Sequence, residues 1–447
     1  MELRGKKVLV VGLGVSGRAA ALLCLAQGAL VRATDQNPAP PAAAELAGAG
    51  VALSLGGHRA EDFAWAELIV LSPGVDHRLP EIERARAAGA QVIGELELGW
   101  RFTGCPTVMI TGTNGKSTVT TLVGDILAQA GFQTLVGGNL GRPVCDMAAE
   151  SAAADWLVAE VSSFQTDTME LLRPRVGVVL NITPDHQDRY PNFAAYADSK
   201  MRLFSNQADG DVAVLCADDP QVWSRRAAAP ALAWGYGAAG PQRPGGWLEG
   251  EELVLDVGQG PLRVKLPDGH LAIGFNRLNC LAACLAALAC GAGAEAMERA
   301  LAAYQVLGHR LALVGEKDGV RYYDDSKGTN VGAVAAALEA LEGPVVLLLG
   351  GRDKDGRFAD LGPLLRQRAA QVICFGEAGP KIQAQIEGFA PNLTVANLAA
   401  AVRAAAQVAK PGHAVLLSPG CASFDAYTGY AQRGEHFQEL VREVIHG

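Results

Sequence analysis

The 447-residue sequence has no long uninterrupted apolar run, although 49% of its residues are hydrophobic. Gly, Pro or charged residues break every apolar stretch, and none approaches the roughly 20 residues needed to cross a bilayer. The apolar run after the charged segment 1–7 is only as long as a strand, so we expect no secretory signal. These absences predict a cytoplasmic protein without membrane insertion.

Paired cysteines are also missing, because none of the nine cysteines lies in a Cys-x-x-Cys pattern. Cys280 and Cys284 are one helical turn apart, but no neighbouring histidine completes a zinc pattern, so core packing is the favoured interpretation. The odd, scattered set predicts reduced thiols rather than a disulfide framework.

The sequence has no excess of basic residues. It contains 38 basic and 47 acidic residues, for a net charge of −9, and only 19% of its residues are charged. This balance argues against a nucleic-acid-binding protein, because phosphate backbones are bound by clustered cations. An anionic ligand would have to be held by local charge or by backbone amides at helix starts.

A glycine motif follows the first apolar strand. Gly12, Gly14 and Gly17 form a Gly-x-Gly-x-x-Gly pattern, a predicted helix follows, and Asp35 ends the next predicted strand. This order is typical of a Rossmann-like unit, although any nucleotide diphosphate would satisfy the loop. The sequence Leu-Ser-Pro-Gly ends a further apolar strand at 71–74 and recurs at 417–420.

Residues 108–122, VMITGTNGKSTVTTL, place a phosphate-binding pattern after another apolar strand. Only two residues separate Gly112 from the Gly115-Lys116 pair, whereas a Walker A loop has four. Loop amides would bind phosphate, the lysine would reach the outer phosphates, and a hydroxyl after the lysine would face Mg²⁺. An ordinary strand-turn-helix connection with a surface lysine is the minor alternative. The loop residues are Gly112, Thr113, Asn114, Gly115, Lys116, Ser117 and Thr118.

Two acidic motifs follow strands of the same predicted unit. VAEVSSFQ places Glu160 near a strand end, and NITPDHQDRYP places Asp185, His186 and Asp188 after the next strand. Ligands bind at the carboxyl ends of strands in α/β sheets, and oxygen donors suit Mg²⁺. Either motif alone favours capping or surface polarity, but together they predict a metal site.

Three α/β units are predicted, at 1–95, 96–306 and 307–447. We expect a Rossmann-like N-terminal domain, a P-loop-like central domain with a parallel sheet, and a Rossmann-like C-terminal domain. Residues 234–270 are rich in Gly, Pro and Trp and contain alternating strands. They predict a small β insert of antiparallel hairpins in the central domain.

The combined motifs resemble the Mur ligase family. GTNGKS, VAEVSSFQ, NITPDHQDRYP, His-Arg at 309–310 and DDSKGTN carry the resemblance, which covers essentially the whole chain. SPG at 72–74, GGNLG at 137–141, LLLGGRDK and SPGCASFD are most similar to the branch that adds D-glutamate to UDP-N-acetylmuramoyl-L-alanine. The resemblance implies an ATP-dependent amide ligase of peptidoglycan precursor synthesis, acting through an acyl phosphate and a tetrahedral intermediate. It also implies Mg²⁺, a monomer, and successive domains for UDP-substrate, ATP and the incoming amino acid.

The resemblance further implies roles for individual residues. The implied ATP contacts are residues 112–118 together with Asn276, Asn279, Arg310 and Asp325. The implied UDP-substrate contacts are Val15, Ser16, Asp35, Ser72, Pro73, Gly74, Asn139 and His186. The implied D-glutamate contacts are Lys327, Thr329, Lys354, Ser423 and Tyr430. The implied metal ligands are Ser117, Glu160, His186 and Lys200 as a carbamate, and the implied catalytic residues are Lys116, His186 and Lys200.

Two positions have competing or unusual interpretations. The residues around Lys200 alone favour a solvated lysine on a helix, and only the resemblance implies a carbamate. Phe275 stands before Asn276 where many relatives have histidine, so the contact on the adenine side is expected to differ.

Other functions explain less of the sequence. A folylpolyglutamate synthetase-like ligase has no use for the first glycine loop, and a dehydrogenase leaves Lys116, Glu160 and His186 without a role. A sibling ligase that adds diaminopimelate typically carries a DNPR-like motif, which this sequence lacks. A nucleotide-binding regulator that is not an enzyme would need no acidic metal ligands.

Overall fold

The computed structural model describes residues 1–446, which form three β-sheets with accompanying helices. None of the helices within these residues is long and apolar enough to cross a membrane. All nine cysteines are free, and all except Cys105 are buried, which confirms the packing interpretation of Cys280 and Cys284.

The amino-terminal sheet has five parallel strands. They are β1 (Lys7–Val11), β2 (Leu30–Asp35), β3 (Ala52–Leu55), β4 (Leu68–Leu71) and β5 (Gln91–Gly94). They lie in the order β3-β2-β1-β4-β5. β2 and β3 are added on one side of β1, and β4 and β5 on the other side, so the strand order switches between β1 and β4. The accompanying helices are α1 (Val15–Ala26), α2 (Ala43–Gly48), α3 (Ala60–Trp65), α4 (Pro80–Ala87) and α5 (Glu95–Arg101).

Both faces of this sheet are buried, as a parallel sheet requires. Val8 and Val10 of β1 belong to one apolar cluster with Ala20 of α1, whereas Leu9 belongs to another with Phe63 of α3. Successive strand residues point to opposite faces, so the continuous apolar run of β1 supplies both cores.

The central sheet has nine strands. They are β6 (Thr107–Thr111), β7 (Thr134–Gly138), β8 (Trp156–Glu160), β9 (Val176–Val179), β10 (Val212–Cys216), β11 (Leu232–Gly237), β12 (Gly245–Glu249), β13 (Glu252–Asp256) and β14 (Leu262–Lys265). Their order is β14-β13-β12-β11-β10-β9-β6-β8-β7. The helices are α6 (Lys116–Gln129), α7 (Val144–Met147), α8 (Ser163–Thr166), α9 (Phe193–Met201), α10 (Pro220–Trp223), α11 (Asn276–Ala289) and α12 (Ala294–Ala303).

The predicted antiparallel insert is correct in part. β13 pairs antiparallel with β12 and with β14, but β11 pairs parallel with β10 and β12. The three antiparallel strands therefore extend the central sheet rather than forming separate hairpins. Gly245 allows this close pairing, because a Cβ there would lie 1.8 Å from the Gly235 carbonyl oxygen.

The carboxyl-terminal sheet has six strands. They are β15 (Ala312–Lys317), β16 (Val320–Asp324), β17 (Val345–Gly350), β18 (Ala369–Phe375), β19 (Asn392–Val395) and β20 (Ala414–Leu417). Their order is β15-β16-β20-β17-β18-β19, and only the β15–β16 pairing is antiparallel. The helices are α13 (Val331–Ala340), α14 (Gly362–Arg368), α15 (Gly379–Ile386), α16 (Leu398–Val408) and α17 (Tyr430–His446).

Five short 3₁₀ helices complete the list, at Glu150–Ala153, Arg202–Phe204, Arg226–Ala228, His270–Ala272 and Phe358–Leu361. Contacts along the chain define two compact units. The first consists of Met1–Asn181, Ala197–Pro267 and Leu278–Ala303, and the second of Ile182–Tyr196, Asp268–Arg277 and the chain from Tyr304 onward. The domain boundaries after residues 95 and 306 remain predictions.

Candidate active site

The glycine loop of the first sheet is a tight turn between β1 and α1. Gly12 has a φ of +85°, and a Cβ on Gly17 would lie 1.8 Å from the Gly12 carbonyl oxygen. The hydroxyl of Ser72, at the end of β4, donates to the same carbonyl at 2.7 Å. The hydrogen bond thus links the carboxyl ends of β1 and β4, between which the strand order switches. Open α/β sheets bind their ligands at such a switch point.

Asp35 fixes the other side of this loop. One carboxylate oxygen accepts the Leu13 N–H at 2.5 Å and the other accepts the Asn37 N–H at 2.8 Å. Val15, the first residue of α1, is 67% exposed beside the turn. Six predicted UDP-substrate residues lie at the carboxyl edge of this sheet, where Asp35 ends β2 and the others follow β1 or β4: Val15, Ser16, Asp35, Ser72, Pro73 and Gly74.

The loop from Gly112 to Ser117 connects β6 to α6. Gly112 and Gly115 have φ values of +152° and +87°. The Lys116 ammonium donates to the Gly112 carbonyl at 3.0 Å and to the Thr113 carbonyl at 2.8 Å. The lysine therefore folds over its own loop, as in an anion nest that starts a helix.

Asn181, which the sequence interpretation did not single out, supports this loop from the end of β9. Its backbone carbonyl accepts the Thr113 N–H at 2.8 Å. Its side-chain oxygen accepts the Asn114 N–H at 2.8 Å, and its amide donates to the Asn114 carbonyl at 2.9 Å. Its place at the start of the NITPDHQDRYP motif was the available signal.

Asn279 lies on the other side of the loop. A Cβ on Gly115 would lie 2.4 Å from the Asn279 side-chain oxygen. Of the predicted ATP contacts, Asn279 is therefore held directly against the phosphate-type loop, where only glycine leaves room for it.

Glu160 lies at the end of β8 and is 2% exposed. Its carboxylate accepts the Ser117 hydroxyl at 2.5 Å and the Asn139 side-chain amide at 2.6 Å, and its backbone carbonyl accepts the Asn139 N–H at 2.8 Å. Three predicted residues from three different motifs thus meet at one carboxylate.

Lys200 is 2% exposed on α9, so the interpretation as a solvated lysine is wrong. Its ammonium donates to the Gly112 carbonyl at 2.8 Å. Ser199 donates to the Ser163 carbonyl at 2.9 Å and orients the helix. The apolar and polar neighbours of α9 therefore direct this lysine toward the base of the phosphate-type loop.

The donor set fits Mg²⁺ only in part. Glu160 and Ser117 supply adjoining oxygens, which suit this cation. Within residues 1–446, no three His, Cys, Asp or Glu side chains form a ready-made metal cluster. Mg²⁺ commonly binds to one or two carboxylates together with substrate phosphates, so the chain fits a site that a nucleotide completes.

His186 lies in the second unit, in a left-handed backbone conformation with a φ of +53°. Its N–H donates to Asp185 at 2.9 Å, and its ring is 6.3 Å from that of Tyr196. Asp185 also accepts the Lys354 ammonium at 2.6 Å and the Asn330 amide at 3.2 Å. Burial would raise the pKa of Asp185, but Lys354 and His186 outweigh it and the pKa is lowered.

The predicted nucleotide residue Asp325 follows β16. Its carboxylate accepts the Ser418 hydroxyl at 2.7 Å and the Leu311 N–H at 3.2 Å. Burial raises the pKa of Asp325 to about 7, whereas Ser418 and the charge of Arg310 lower it. Arg310 and Asp325 are therefore electrostatic neighbours.

His270, which had no sequence signal of its own, contacts Asn276. The Asn276 amide lies 3.0 Å from the His270 Nε2 and donates to the His270 carbonyl at 3.1 Å. Burial and then Arg310 lower the pKa of His270, which favours the neutral ring that can accept from Asn276. The predicted nucleotide residues Asn276 and Arg310 therefore adjoin a histidine, although position 275 is Phe.

The predicted D-glutamate residues follow three neighbouring strands, β16, β17 and β20. The Lys327 ammonium lies 3.9 Å from the centre of the Tyr430 ring, and Thr329 donates its N–H to the Lys327 carbonyl. Ser423 is buried, whereas Lys354 is 16% exposed. Cations and hydroxyls at one sheet edge suit a ligand with carboxylates.

Arg433, another residue without a sequence signal, organises these loops. It is fully buried, and its guanidinium donates to the carbonyls of Cys421 and Ser326 at 3.1 and 2.9 Å and to the Ser326 hydroxyl at 3.0 Å. Burial lowers its pKa to about 10, so it remains charged at neutral pH. It therefore ties the loops after β16 and β20 to α17.

A cleft of about 940 Å³ lies elsewhere, and none of the predicted site residues lines it. Its walls include Arg173 and Arg175, which pair with Asp211, and Arg101, which pairs with Glu97. Thr107 and Asp211 of this cleft lie at the amino-terminal ends of β6 and β10, opposite the edge that carries the phosphate-type loop.

Three family models match the chain. They are the Mur ligase MurD-like N-terminal domain at 6–94, the Mur ligase middle domain at 110–287 and the Mur ligase glutamate ligase domain at 309–421. Curated relatives match over nearly their full length. A UDP-N-acetylmuramoylalanine–D-glutamate ligase of Desulfosudis oleivorans is 43% identical, with 100% of this chain and 98% of the relative covered. The ligase of that name from Desulfatibacillum aliphaticivorans is 41% identical, with 99% and 100% covered.

Solved structures share the fold at low sequence identity. UDP-N-acetylmuramate-alanine ligase MurC from Thermotoga maritima is 19% identical, with a TM-score of 0.61 over 98% of this chain and 99% of that one. MurF from Acinetobacter baumannii is 17% identical, with a TM-score of 0.62 over 100% and 92%. These likenesses concern the fold alone and support the three-sheet α/β architecture predicted from the sequence.

Proposed function

The chain belongs to the Mur ligase family, and we propose that it joins D-glutamate to UDP-N-acetylmuramoyl-L-alanine with cleavage of ATP to ADP and phosphate, in peptidoglycan precursor synthesis. The observation that carries this proposal is the meeting of Ser117, Asn139 and Glu160 beside the loop of Lys116. The full-length likeness to ligases with that named activity supports the choice of D-glutamate over another amino acid.

ATP would bind with its phosphates on residues 112–118. The loop amides and the start of α6 attract phosphate oxygens, and Lys116 would turn from the Gly112 and Thr113 carbonyls toward the outer phosphates. Asn276, Asn279, Arg310 and Asp325 would contact the nucleotide. The alanyl carboxylate would take the γ-phosphoryl group, which yields an acyl phosphate and ADP.

The amine of D-glutamate would then attack the activated carbonyl carbon. The resulting tetrahedral intermediate loses inorganic phosphate, and the nitrogen loses a proton as the amide forms. Lys327, Thr329, Lys354, Ser423 and Tyr430 would bind the two carboxylates of D-glutamate and leave its nitrogen exposed. The ion pair of Lys354 with Asp185 would open or rearrange so that Lys354 can contact a carboxylate.

Glu160, Ser117, His186 and Lys200 would hold Mg²⁺, with Lys200 as a carbamate. Bound Mg²⁺ would neutralise negative charge on the phosphates. The burial of Lys200 supports the modification, because a carbamate forms from a neutral amine and burial disfavours the ammonium. Val15, Ser16, Asp35, Ser72, Pro73, Gly74, Asn139 and His186 would contact the UDP-substrate. We assign the reaction to the cytoplasm, where ATP is available, and to the monomer.

Phosphate release tests the assignment directly. We expect release that requires ATP, Mg²⁺, UDP-N-acetylmuramoyl-L-alanine and D-glutamate together, with L-glutamate and diaminopimelate inactive. Lys116→Ala should abolish release, whereas Lys410→Ala, at an exposed lysine, should match the wild type. Release with diaminopimelate in place of D-glutamate, or near-normal turnover of Lys116→Ala, would contradict the proposal.

Chemical rescue tests the modified lysine. Lys200→Ala should lose most activity, and acetate should restore part of it by supplying a carboxylate in the vacated space. Lys200→Arg should not respond, because its permanent charge fills that space. Failure of acetate with the alanine variant would remove the carbamate from the proposal and leave the reaction itself standing.

A further inference from the structure

Glu95 is a buried carboxylate outside the residues assigned so far. It is the first residue of α5, directly after β5, and it is 1% exposed. One carboxylate oxygen accepts the Cys145 N–H at 2.8 Å, and the Cys145 thiol donates to the Glu95 carbonyl at 3.3 Å. Its other oxygen has no hydrogen-bond partner within residues 1–446. Glu95 and the start of α7 are therefore joined by two reciprocal hydrogen bonds.

The two helices pack with little space between their backbones. A Cβ on Gly99 of α5 would lie 2.6 Å from the Cys145 nitrogen and 2.8 Å from the Val144 carbonyl carbon. Only glycine permits this approach, and the Glu95 hydrogen bond opposes movement of α7 away from α5.

The segment between β7 and α7 is consequently held at both ends. Asn139 is bonded to Glu160 through its backbone N–H and its side-chain amide. The other end of the segment enters α7, where Glu95 holds Cys145. A shift at Cys145 would therefore be transmitted to Asn139 through the five residues between them.

We propose that Glu95 is a positioning residue that sets the placement of Asn139 beside Glu160, and through it the affinity for the UDP-linked substrate. This inference rests on the proposed function. It also gives α5, which links the first sheet to the central sheet in the chain, a part in forming the substrate site.

The charge of Glu95 should modulate this contact. Burial raises the pKa of Glu95 to about 7, the Cys145 N–H lowers it, and Asp146 raises it. The other titratable groups on the packed elements are Cys24 and Arg18 of α1 and Cys145 and Asp146 of α7. Burial raises the pKa of both thiols, to about 12 for Cys24, and Arg18 stays charged beside Asp146. Glu95 is therefore the group in this cluster that changes charge near neutral pH.

A carboxylate accepts an N–H more strongly than a carboxylic acid does. Above about pH 7, ionised Glu95 should hold α7 more firmly, and the KM for the UDP-linked substrate should fall as pH rises through 7. Folding stability should change in the opposite direction. The folded chain holds this proton more tightly than the unfolded chain, so stability is highest below the ordinary carboxyl pKa and is lost as pH rises through about 7.

The variants Glu95→Ala and Glu95→Gln separate these effects. Glu97→Gln is a matched control, because Glu97 is a buried carboxylate on the same helix that accepts the N–H groups of Glu170, Leu171 and Leu172 instead of α7. The readouts are hydrogen exchange in residues 138–146, with 111–118 as the internal reference, and the KM values for UDP-N-acetylmuramoyl-L-alanine and ATP between pH 6 and 9.

For Glu95→Ala we expect exchange in 138–146 to accelerate about tenfold, a rise in the KM for the UDP-linked substrate of about tenfold, and a KM for ATP within twofold of wild type. Glu95→Gln should remove the pH dependence and keep the KM near the low-pH value of the wild type. Unchanged exchange in Glu95→Ala, a wild-type pH profile in Glu95→Gln, or the same KM pattern in Glu97→Gln would overturn the inference. An inactive wild type would instead contradict the proposed function, while the exchange measurement would still test Glu95.

Discussion

The first and third sheets carry the same four residues, Leu-Ser-Pro-Gly, at the ends of β4 and β20, and use them differently. In the first sheet, the Ser72 hydroxyl donates to the backbone carbonyl of Gly12. In the third, the Ser418 hydroxyl donates to the side-chain carboxylate of Asp325. Ser72 follows β4, which pairs with β1, and Ser418 follows β20, which pairs with β16.

The difference lies in the neighbouring loop. The loop after β1 is the glycine-rich turn Gly12–Gly14, which leads directly into the backbone amides at the start of α1, whereas the loop after β16 presents charged side chains such as Lys327. Backbone amides at a helix start suit a diphosphate, and paired cations suit a dicarboxylate. We therefore expect one local sequence to support two kinds of binding edge, and the neighbouring strand to decide which ligand each edge prefers.

The largest effect is expected from a change that disturbs only the loops at the carboxyl edge of the third sheet. Arg433→Met would remove a buried guanidinium and leave carbonyls of Ser326 and Cys421 without donors, which we expect to cost roughly 3–5 kcal/mol of unfolding free energy. Calorimetry should show the loss, and the KM for D-glutamate should rise while that for the UDP-linked substrate stays within twofold. Arg18→Met, at a partly exposed ion pair, should hardly change the melting temperature. A melting temperature of Arg433→Met within 2 °C of wild type, on the order of the shift for 1 kcal/mol, would refute this role.

The next largest effect is expected from a change that disturbs only the glycine turn at the carboxyl edge of the first sheet. Gly17→Ala would place a Cβ 1.8 Å from the Gly12 carbonyl oxygen, so the turn must open. We expect the KM for the UDP-linked substrate to rise about 100-fold, equivalent to about 2.7 kcal/mol, with the KM for D-glutamate unchanged. Gly48→Ala serves as the control, because its Cβ would meet nothing within 4 Å. Equal rises in both KM values would mean that the two edges do not bind separate substrates.

A smaller effect is expected from removing a mostly buried lysine, Lys354, compared with removing a half-exposed lysine, Lys381. Lys354→Met should raise the KM for D-glutamate about tenfold, or about 1.4 kcal/mol, because a mostly buried ammonium is lost from the binding edge. It should also raise the pKa of Asp185, whose carboxyl Lys354 helps keep ionised. Lys381→Met removes a half-exposed cation paired with Asp353 and should leave the KM for D-glutamate unchanged. Steady-state kinetics with varied D-glutamate distinguishes the two variants, and equal KM values would show that Lys354 does not contact this substrate.

The smallest expected effect is the difference of about 1 kcal/mol between the losses caused by removing the two serine hydroxyls. Ser418→Ala removes a donor to a carboxylate and should cost about 2 kcal/mol, whereas Ser72→Ala removes a donor to a neutral carbonyl and should cost about 1 kcal/mol. Calorimetry at pH 8, above the pKa of about 7 for Asp325, measures both losses with that carboxylate mostly ionised. A larger loss in Ser72→Ala would reverse the comparison.

The positions of strands and loops along the chain could be predicted from the sequence because they depend on local signals. The apolar run before Gly112, the glycine spacing at 12–17 and the strand before Glu160 each mark a strand end, and parallel strand ends share an edge. The parallel pairing of β11 could not be predicted in this way. It depends on the close approach of Gly235 and Gly245, whose backbones meet only in the folded sheet.

Several residues near the candidate site were not identified from the sequence, because their contacts are with backbone groups or depend on burial in the folded chain. Asn181 and Arg433 hold loop carbonyls and amides, and such partners have no residue spacing that identifies them. Lys200 is assigned to the site only through the family resemblance. The residues around it suggest an exposed helix position, because its burial depends on packing against elements distant in sequence. His270 likewise becomes visible only through its contact with Asn276.

The contact of Asn279 with Gly115 also has a consequence for the order of events on the ribosome. Asn279 is synthesised about 160 residues after Gly115, which corresponds to roughly 8–30 s at typical elongation rates. The first sheet, complete at Gly94, can fold during this interval, but the phosphate-type loop lacks one of its walls until α11 emerges. A nascent chain that ends before residue 276 should therefore carry the phosphate-type loop without the wall that Asn279 provides.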